Sequence, residues 1–173
     1  MEISQFAAAK GAIKDPEMIY ERSQISTKEL MKVEDKIMVI SDVAGAGKSC
    51  ALFEIYLKSI GKFPKNWHIF IDLKEHLKEL KEEFENFSTF FATKILKLSN
   101  FDKLLFLQMY KEQKASIFLD GFDEISPICK ENCIKLMKMF ESKQLWVTTR
   151  IHLEQDLEKE FNCKAYCLIP LHT

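Results

Sequence analysis

A short run of small residues, Gly45-Ala46-Gly47, leads directly into Lys48 and Ser49. Glycine lets the main chain approach an anion closely, and the backbone N–H groups at a helix N-terminus point toward it. Lys48 would reach terminal phosphates as a cation, and the Ser49 hydroxyl would help to coordinate Mg²⁺, which prefers hard oxygen ligands. The run predicts a phosphate-binding loop whose contact residues are Val43, Ala44, Gly45, Ala46, Gly47, Lys48, Ser49 and Cys50.

One position departs from the usual pattern of such loops, G-x-x-x-x-G-K-[ST]. Asp42 stands where that pattern has its first glycine. A carboxylate there would repel phosphate or narrow the turn. The interpretation remains a phosphate loop, because a turn that merely joined a strand to a helix would not explain the Lys48-Ser49 pair.

Three acidic residues follow the apolar run Ile117 to Leu119 within five positions. We expect Asp120 to hold Mg²⁺, commonly through water, and either Asp123 or Glu124 to orient or deprotonate an attacking water. An acidic cluster after a strand is more often a solvated loop, so the upstream phosphate loop is what favours metal and water chemistry here.

Arg150 ends a third run, Leu145 to Thr149, which closes with two hydroxyl residues. The chain has only two arginines, Arg22 and Arg150, against 23 lysines. A guanidinium matches phosphate oxygens through its planar fork. We therefore expect Arg150 to sense the terminal phosphate and assign it, with Asp123 and Glu124, to the catalytic set.

The elements that must position these residues alternate between short β-rich runs and longer helical stretches. The predicted strands are 36–41, 67–73, 115–120, 144–148 and 164–168, and the predicted helices are 48–59 (stopped by Gly61), 75–84, 88–98, 101–111 and 128–140. Ligands of such folds bind at the carboxyl ends of the strands, where all three motifs fall. The expected fold class is α/β, a three-layer P-loop NTPase with a mostly parallel five-stranded sheet.

The composition of the chain argues against several classes of partner. A chain of 173 residues with 47% hydrophobic content suits one compact domain, and a formal charge of -1 gives no basic field for nucleic acid or anionic lipid. No apolar stretch approaches the ~18 residues of a membrane span. Five cysteines without a secretory signal predict reduced thiols and a cytoplasmic location, and their spacing favours buried apolar thiols over a zinc site.

Taken together, the three motifs resemble the NACHT domain, a branch of the signal-transduction P-loop ATPases that includes innate-immune receptors and arthropod-like ankyrin- or leucine-rich-repeat proteins. The resemblance covers about 36–170 and rests on 41–49, 118–124 and 147–150. It implies ATP or GTP with Mg²⁺ and slow or no hydrolysis. It also implies a switch between a closed ADP-bound state and an open oligomer-forming state.

The resemblance predicts a lead-in segment over residues 1–30 and a NACHT-like nucleotide-binding domain over 31–173, without the winged-helix subdomain that the family places after the sensor strand. We expect part of a larger signalling receptor, with self-association or signalling-protein partners and neither a nucleic-acid nor a membrane partner. Two alternatives stay open. One is a non-catalytic nucleotide-binding or protein-interaction module, and the other, less favoured with two arginines, is a P-loop small-molecule kinase.

Overall fold

The computed structural model of the protein describes residues 24–140 and 144–169. Its sheet contains β1 (Gln24–Ile25), β2 (Ile37–Asp42), β3 (Trp67–Asp72), β4 (Ala115–Asp120), β5 (Gln144–Arg150) and β6 (Ala165–Leu168). The strands lie in the order β1-β6-β2-β5-β4-β3, and every pairing between them is parallel. The predicted α/β class with a parallel sheet is confirmed, with six strands rather than five, because residues 24–25 of the expected lead-in segment pair with β6.

Helices cover both faces of this sheet. They are α1 (Thr27–Leu30), α2 (Lys48–Lys62), α3 (Phe87–Phe90), α4 (Asn100–Lys111), α5 (Pro127–Met139) and α6 (Glu154–Phe161). Short 3-10 turns occur at Leu73–His76, Glu79–Lys81, Phe122–Glu124 and Ile151–Leu153. No helix in the described ranges is long and apolar enough to cross a bilayer.

Two apolar cores lie on opposite faces of the sheet. Side chains of a strand alternate between faces, so Val39 enters the core under α3, α5 and α6, while Met38 and Ile40 enter the core under α1 and α2. The same alternation sends Ile117 to the first core and Phe118 to the second. Burial on both faces explains why these strands read as continuous apolar runs.

The predicted helix over 75–84 is wrong. Two 3-10 turns occupy the segment, although its apolar residues have helical spacing. The Leu77 carbonyl accepts from Cys129 Sγ–H at 3.6 Å, and the Leu80 carbonyl accepts from Asn132 Nδ2–H at 2.8 Å. Hydrogen bonds from α5 thus replace those that a continuous helix would have made.

Other departures are smaller. The predicted helix over 88–98 ends early: α3 passes into a π-helix over Phe91–Ile95, after which the chain is no longer helical. The Leu96 N–H donates to the Phe91 carbonyl at 2.9 Å, the hydrogen bond that closes the π-helix. Gly61 does not stop α2, which continues to Lys62. The helix α6 follows Arg150 in a region for which no element was predicted.

Strand register brings the carboxyl ends of the central strands together. Asp42 of β2 lies opposite Arg150 of β5, and Leu119 of β4 lies opposite Val147. Because β5 is flanked by β2 and β4, whatever follows these three strands must converge at one edge of the sheet.

Candidate functional site

The loop between β2 and α2 is shaped by two glycines with left-handed backbone. Gly45 has φ 77° and Gly47 has φ 85°, values that residues with a Cβ adopt only at a cost. The first helical bond of α2 runs from the Ala51 N–H to the Gly47 carbonyl at 2.9 Å. Since α2 begins at Lys48, the turn delivers Lys48 and Ser49 to its first turn.

The N-terminus of α2 has no side-chain cap. Gly47 is its N-cap residue and offers no side-chain acceptor, whereas α1, α3, α4 and α5 are capped by Ser26, Asn86, Ser99 and Ser126 respectively. The helix α6 is uncapped as well, but it has two acidic residues in its first turn, whereas the first turn of α2 has none. The N–H groups of α2 and the positive end of its dipole are therefore left for an anion.

Lys48 folds back over its own loop. Its Nζ donates to the Val43 carbonyl at 2.8 Å and to the Asp42 carbonyl at 3.2 Å. An ammonium group carries three donors and is half-buried here, so these two bonds fix it above the loop with one donor remaining.

Asp42, which departs from the loop pattern, has a place in this arrangement. Its carboxylate accepts from the Val43 N–H at 2.7 Å and from Cys167 Sγ–H of β6 at 3.3 Å. Its φ is not in the left-handed region, so glycine is not required at this position. The carboxylate is buried against β6 and does not line the cleft described below.

Thr148 of β5 fixes the first acid of the acidic motif. Its Oγ1 donates to Asp120 Oδ1 at 2.5 Å and accepts from the Gly121 N–H at 2.9 Å. Thr148 is only 1% exposed, so its hydroxyl is shielded from water, while the Asp120 end of the bond is partly buried. The hydroxyl holds one oxygen of the Asp120 carboxylate, and Oδ2 has no hydrogen-bond partner among the described residues.

The two acids that follow are both ion-paired. Asp123 Oδ2 lies 2.7 Å from Arg150 Nε, and Glu124 Oε2 lies 2.7 Å from Lys74 Nζ. Lys74 comes from the 3-10 turn after β3, and its hydrogen bond to Glu124, with the nearby charge of Asp72, raises the pKa of its ammonium group above the usual value. Each candidate water-handling acid thus has a cation of its own.

The phosphate loop, the acidic motif and the end of β5 line one cleft of about 300 Å³. Of the predicted site residues it contains Ala44, Gly45, Gly47, Lys48, Ser49, Cys50, Asp120, Asp123, Glu124 and Arg150. Two predicted contacts lie elsewhere: Val43 is 56% exposed to solvent, and Ala46 lines a neighbouring pocket. The structure therefore brings the three sequence motifs together at one edge of the sheet.

Sequence reasoning did not assign roles to Thr148 or Lys74. Thr148 lies two positions before Arg150 on a strand and so shares its face, which was a usable signal. Lys74 follows the end of β3, and nothing in its local sequence distinguishes it from the chain's other lysines.

A magnesium ion fits the donor set only in part. Within residues 24–140 and 144–169, no three His, Cys, Asp or Glu side chains converge on one point. Ser49 and Asp120 share the cleft, and a hydroxyl with one carboxylate is the small protein contribution that Mg²⁺ accepts when phosphates and waters complete its shell. The pair suits Mg²⁺ brought with a phosphate ligand rather than a resident ion.

The five cysteines form no disulfide, and Cys129 and Cys133 are buried in the apolar core beneath α5. Burial raises the pKa of the Cys133 thiol to about 12. Such buried thiols are inert. The expectation of buried apolar thiols is confirmed for this pair, whereas Cys163 and Cys167 are only partly buried.

No protein-family model matches the chain, and no curated protein is similar to it.

Proposed function

We propose that this chain is a nucleotide-binding switch domain of the NACHT kind, which binds ATP or GTP with Mg²⁺ and hydrolyses it slowly or not at all. One observation carries the proposal. The uncapped N-terminus of α2, with Lys48 and Ser49, shares a cleft with the Asp120 carboxylate that Thr148 holds. A helix N-terminus with a lysine attracts phosphate, and the carboxylate beside it suits the metal that accompanies phosphate.

A second pocket favours a nucleotide over a simple phosphate. It has a volume of about 380 Å³ and shares Gly47 and Cys50 with the cleft. Its wall is mainly apolar, with Ile25, Leu168 and Ile169 contributed by the β1 and β6 side of the sheet. A nucleoside attached to the bound phosphates has here an apolar surface of suitable size.

Slow turnover is supported by the pairing of the acids. Asp123 is held by Arg150 and Glu124 by Lys74, so neither carboxylate is presented alone to a water molecule. If Mg²⁺ is bound, Ser49 and Asp120 would hold it, and the ion would neutralise phosphate charge. The same pairing favours a second candidate, a nucleotide-binding interaction module without hydrolysis.

A phosphate-transferring kinase is not favoured. Arg150 is the only arginine within residues 24–140 and 144–169, whereas such enzymes gather several around the transferred group. As part of the switch proposal, the chain acts in the cytoplasm within a longer signalling protein and associates with copies of itself or with signalling proteins.

Calorimetric titration of the purified chain with ATP, ADP and GTP, with and without Mg²⁺, tests this proposal. Lys48→Ala should weaken nucleotide binding by about 10-fold or more, because a charge-assisted contact to phosphate is worth roughly 1.5–3 kcal/mol. Lys62→Ala is the matched control, since Lys62 lies on the same helix but lines neither the cleft nor the second pocket. Thermal melts of each variant would show that it is folded.

Two outcomes would overturn the proposal: a parent chain that binds no nucleotide at millimolar concentration, or a Lys48→Ala variant that binds nucleotide as tightly as Lys62→Ala does. A phosphate-release assay then separates the candidates. Slow release supports the switch, and tight binding without release supports the non-hydrolysing module.

A further inference from the structure

The ion pair between Arg150 and Asp123 is asymmetric. Its shortest contact is 2.7 Å, between Arg150 Nε and Asp123 Oδ2. The Asp123 side chain is 5% exposed, whereas that of Arg150 is 48% exposed. The carboxylate is therefore fixed inside the protein, and the guanidinium, at the rim, is the partner that is able to move.

Strand register places Arg150 beside the phosphate loop. It lies directly opposite Asp42, the residue at which that loop begins, and adjacent strands of a sheet are about 4.8 Å apart. Arg150 also lines the cleft together with Gly45, Gly47 and Lys48. A phosphate chain that extends across the cleft from the loop reaches β5 before it reaches β4, because β5 is the nearer strand.

We propose that Asp123 weakens triphosphate binding relative to diphosphate binding, by competing with the terminal phosphate for the Arg150 guanidinium. The inference rests on the proposed function of the cleft. A diphosphate, held by the loop and Lys48, leaves the Arg150–Asp123 pair intact. A triphosphate supplies a further anionic group that accepts from Arg150, so that Asp123 loses its partner.

The exchange has an energetic cost. Separating the pair leaves Asp123 as a buried carboxylate without its cation, which is unfavourable. That cost is subtracted from the binding of the triphosphate and not from that of the diphosphate. Removing the charge of Asp123 therefore improves triphosphate binding selectively.

The test measures the affinities of ADP and of a non-hydrolysable ATP analogue, the β,γ-imido triphosphate, by calorimetry with Mg²⁺. Asp123→Asn keeps the shape of the side chain and removes its charge. It should raise the affinity for the analogue by about 3- to 5-fold, the upper part of the range of a partly exposed ion pair, and leave that for ADP within about twofold. Arg150→Ala should lower the affinity for the analogue toward that for ADP.

Glu124→Gln is the matched control, because it removes the same charge from the same cleft but from an acid that pairs with Lys74. Glu124→Gln should change the affinities for both nucleotides by the same factor. In the double variant Asp123→Asn/Arg150→Ala, the gain seen in Asp123→Asn should disappear, since the pair acts as one unit.

The inference is overturned, with the proposed function left standing, if the parent chain binds both nucleotides but Asp123→Asn changes the two affinities equally or not at all. It is also overturned if Glu124→Gln gives the same selective gain, which would make the effect general repulsion between acids and phosphate. Failure of the parent chain to bind either nucleotide overturns the inference and the proposed function together.

Discussion

Two neighbouring threonines on β5 offer a direct test of how the acidic motif is held. Thr148 and Thr149 are both buried, at 1% and 0% exposure. Thr148 makes the bonds to Asp120 and Gly121 described above, whereas Thr149 Oγ1 has no hydrogen-bond partner among the described residues. Replacing each by the isosteric valine removes the same hydroxyl from two different environments.

The expected effects have opposite signs. Thr148→Val removes a donor to a carboxylate and leaves the Gly121 N–H without its acceptor, which should lower the free energy of unfolding by about 2–4 kcal/mol. Thr149→Val removes a buried hydroxyl that forms no bond, so the same quantity should stay unchanged or rise by up to about 2 kcal/mol. Thr148→Ser keeps the hydroxyl and loses one methyl group, which costs about 1 kcal/mol.

Urea unfolding followed by circular dichroism supplies the free energies, provided that the slopes of the four proteins agree. Nucleotide-free samples keep ligand binding out of the comparison. The reasoning fails if Thr149→Val is as destabilising as Thr148→Val, or if Thr148→Val lies within about 0.5 kcal/mol of the parent, the range of ordinary surface changes.

Two further predictions use the same measurement. Gly47→Ala should lower the free energy of unfolding by about 1–2 kcal/mol through backbone strain alone, because φ is 85° and an added Cβ meets no atom within 4 Å. Gly61→Ala, inside α2 and equally open, should instead raise the free energy of unfolding by up to about 1 kcal/mol. A change of the same sign in both variants would contradict this prediction. Burial raises the pKa of the Cys133 thiol in the folded chain to about 12, against 9.0 for an ordinary thiol. The free energy of unfolding should therefore have its full value below pH 9 and fall between pH 9 and pH 12, by at most about 1.4 kcal/mol per pH unit. Cys133→Ala should reduce that slope, and an unchanged slope would exclude Cys133 as its source.

The strands were predictable because their signal is local. The run over Ile37 to Ile40 is apolar, rich in β-branched residues and followed by small residues, and β2 spans Ile37–Asp42 against a prediction of 36–41. Parallel topology follows from the intervening helices, and it was enough to predict that the three motifs would meet at one edge.

The failures come from interactions between distant parts of the chain. The carbonyls of Leu77 and Leu80 accept hydrogen bonds from side chains of α5, 52 positions later. A local sequence pattern contains no information about a donor that far along the chain. The partners of the acidic residues were not predictable for the same reason, since Thr148 and Asp120, which form a hydrogen bond, are 28 positions apart in the sequence. Residue types at the site were predictable from sequence, but which cation pairs with which acid was not.

The strand order also dictates when the site is able to form during protein synthesis. β3 and β4 are neighbours in both chain and sheet, so both strands of this pair are available once residue 120 has left the ribosome. β2, which carries the phosphate loop, has only β5 and β6 as neighbours. At about 5–20 residues per second, roughly 100 residues of further translation impose a delay of about 5–20 s before β5 emerges. During that interval the nascent chain carries its glycine loop on an unpaired apolar strand, and the cleft is assembled only when β5 inserts between β2 and β4.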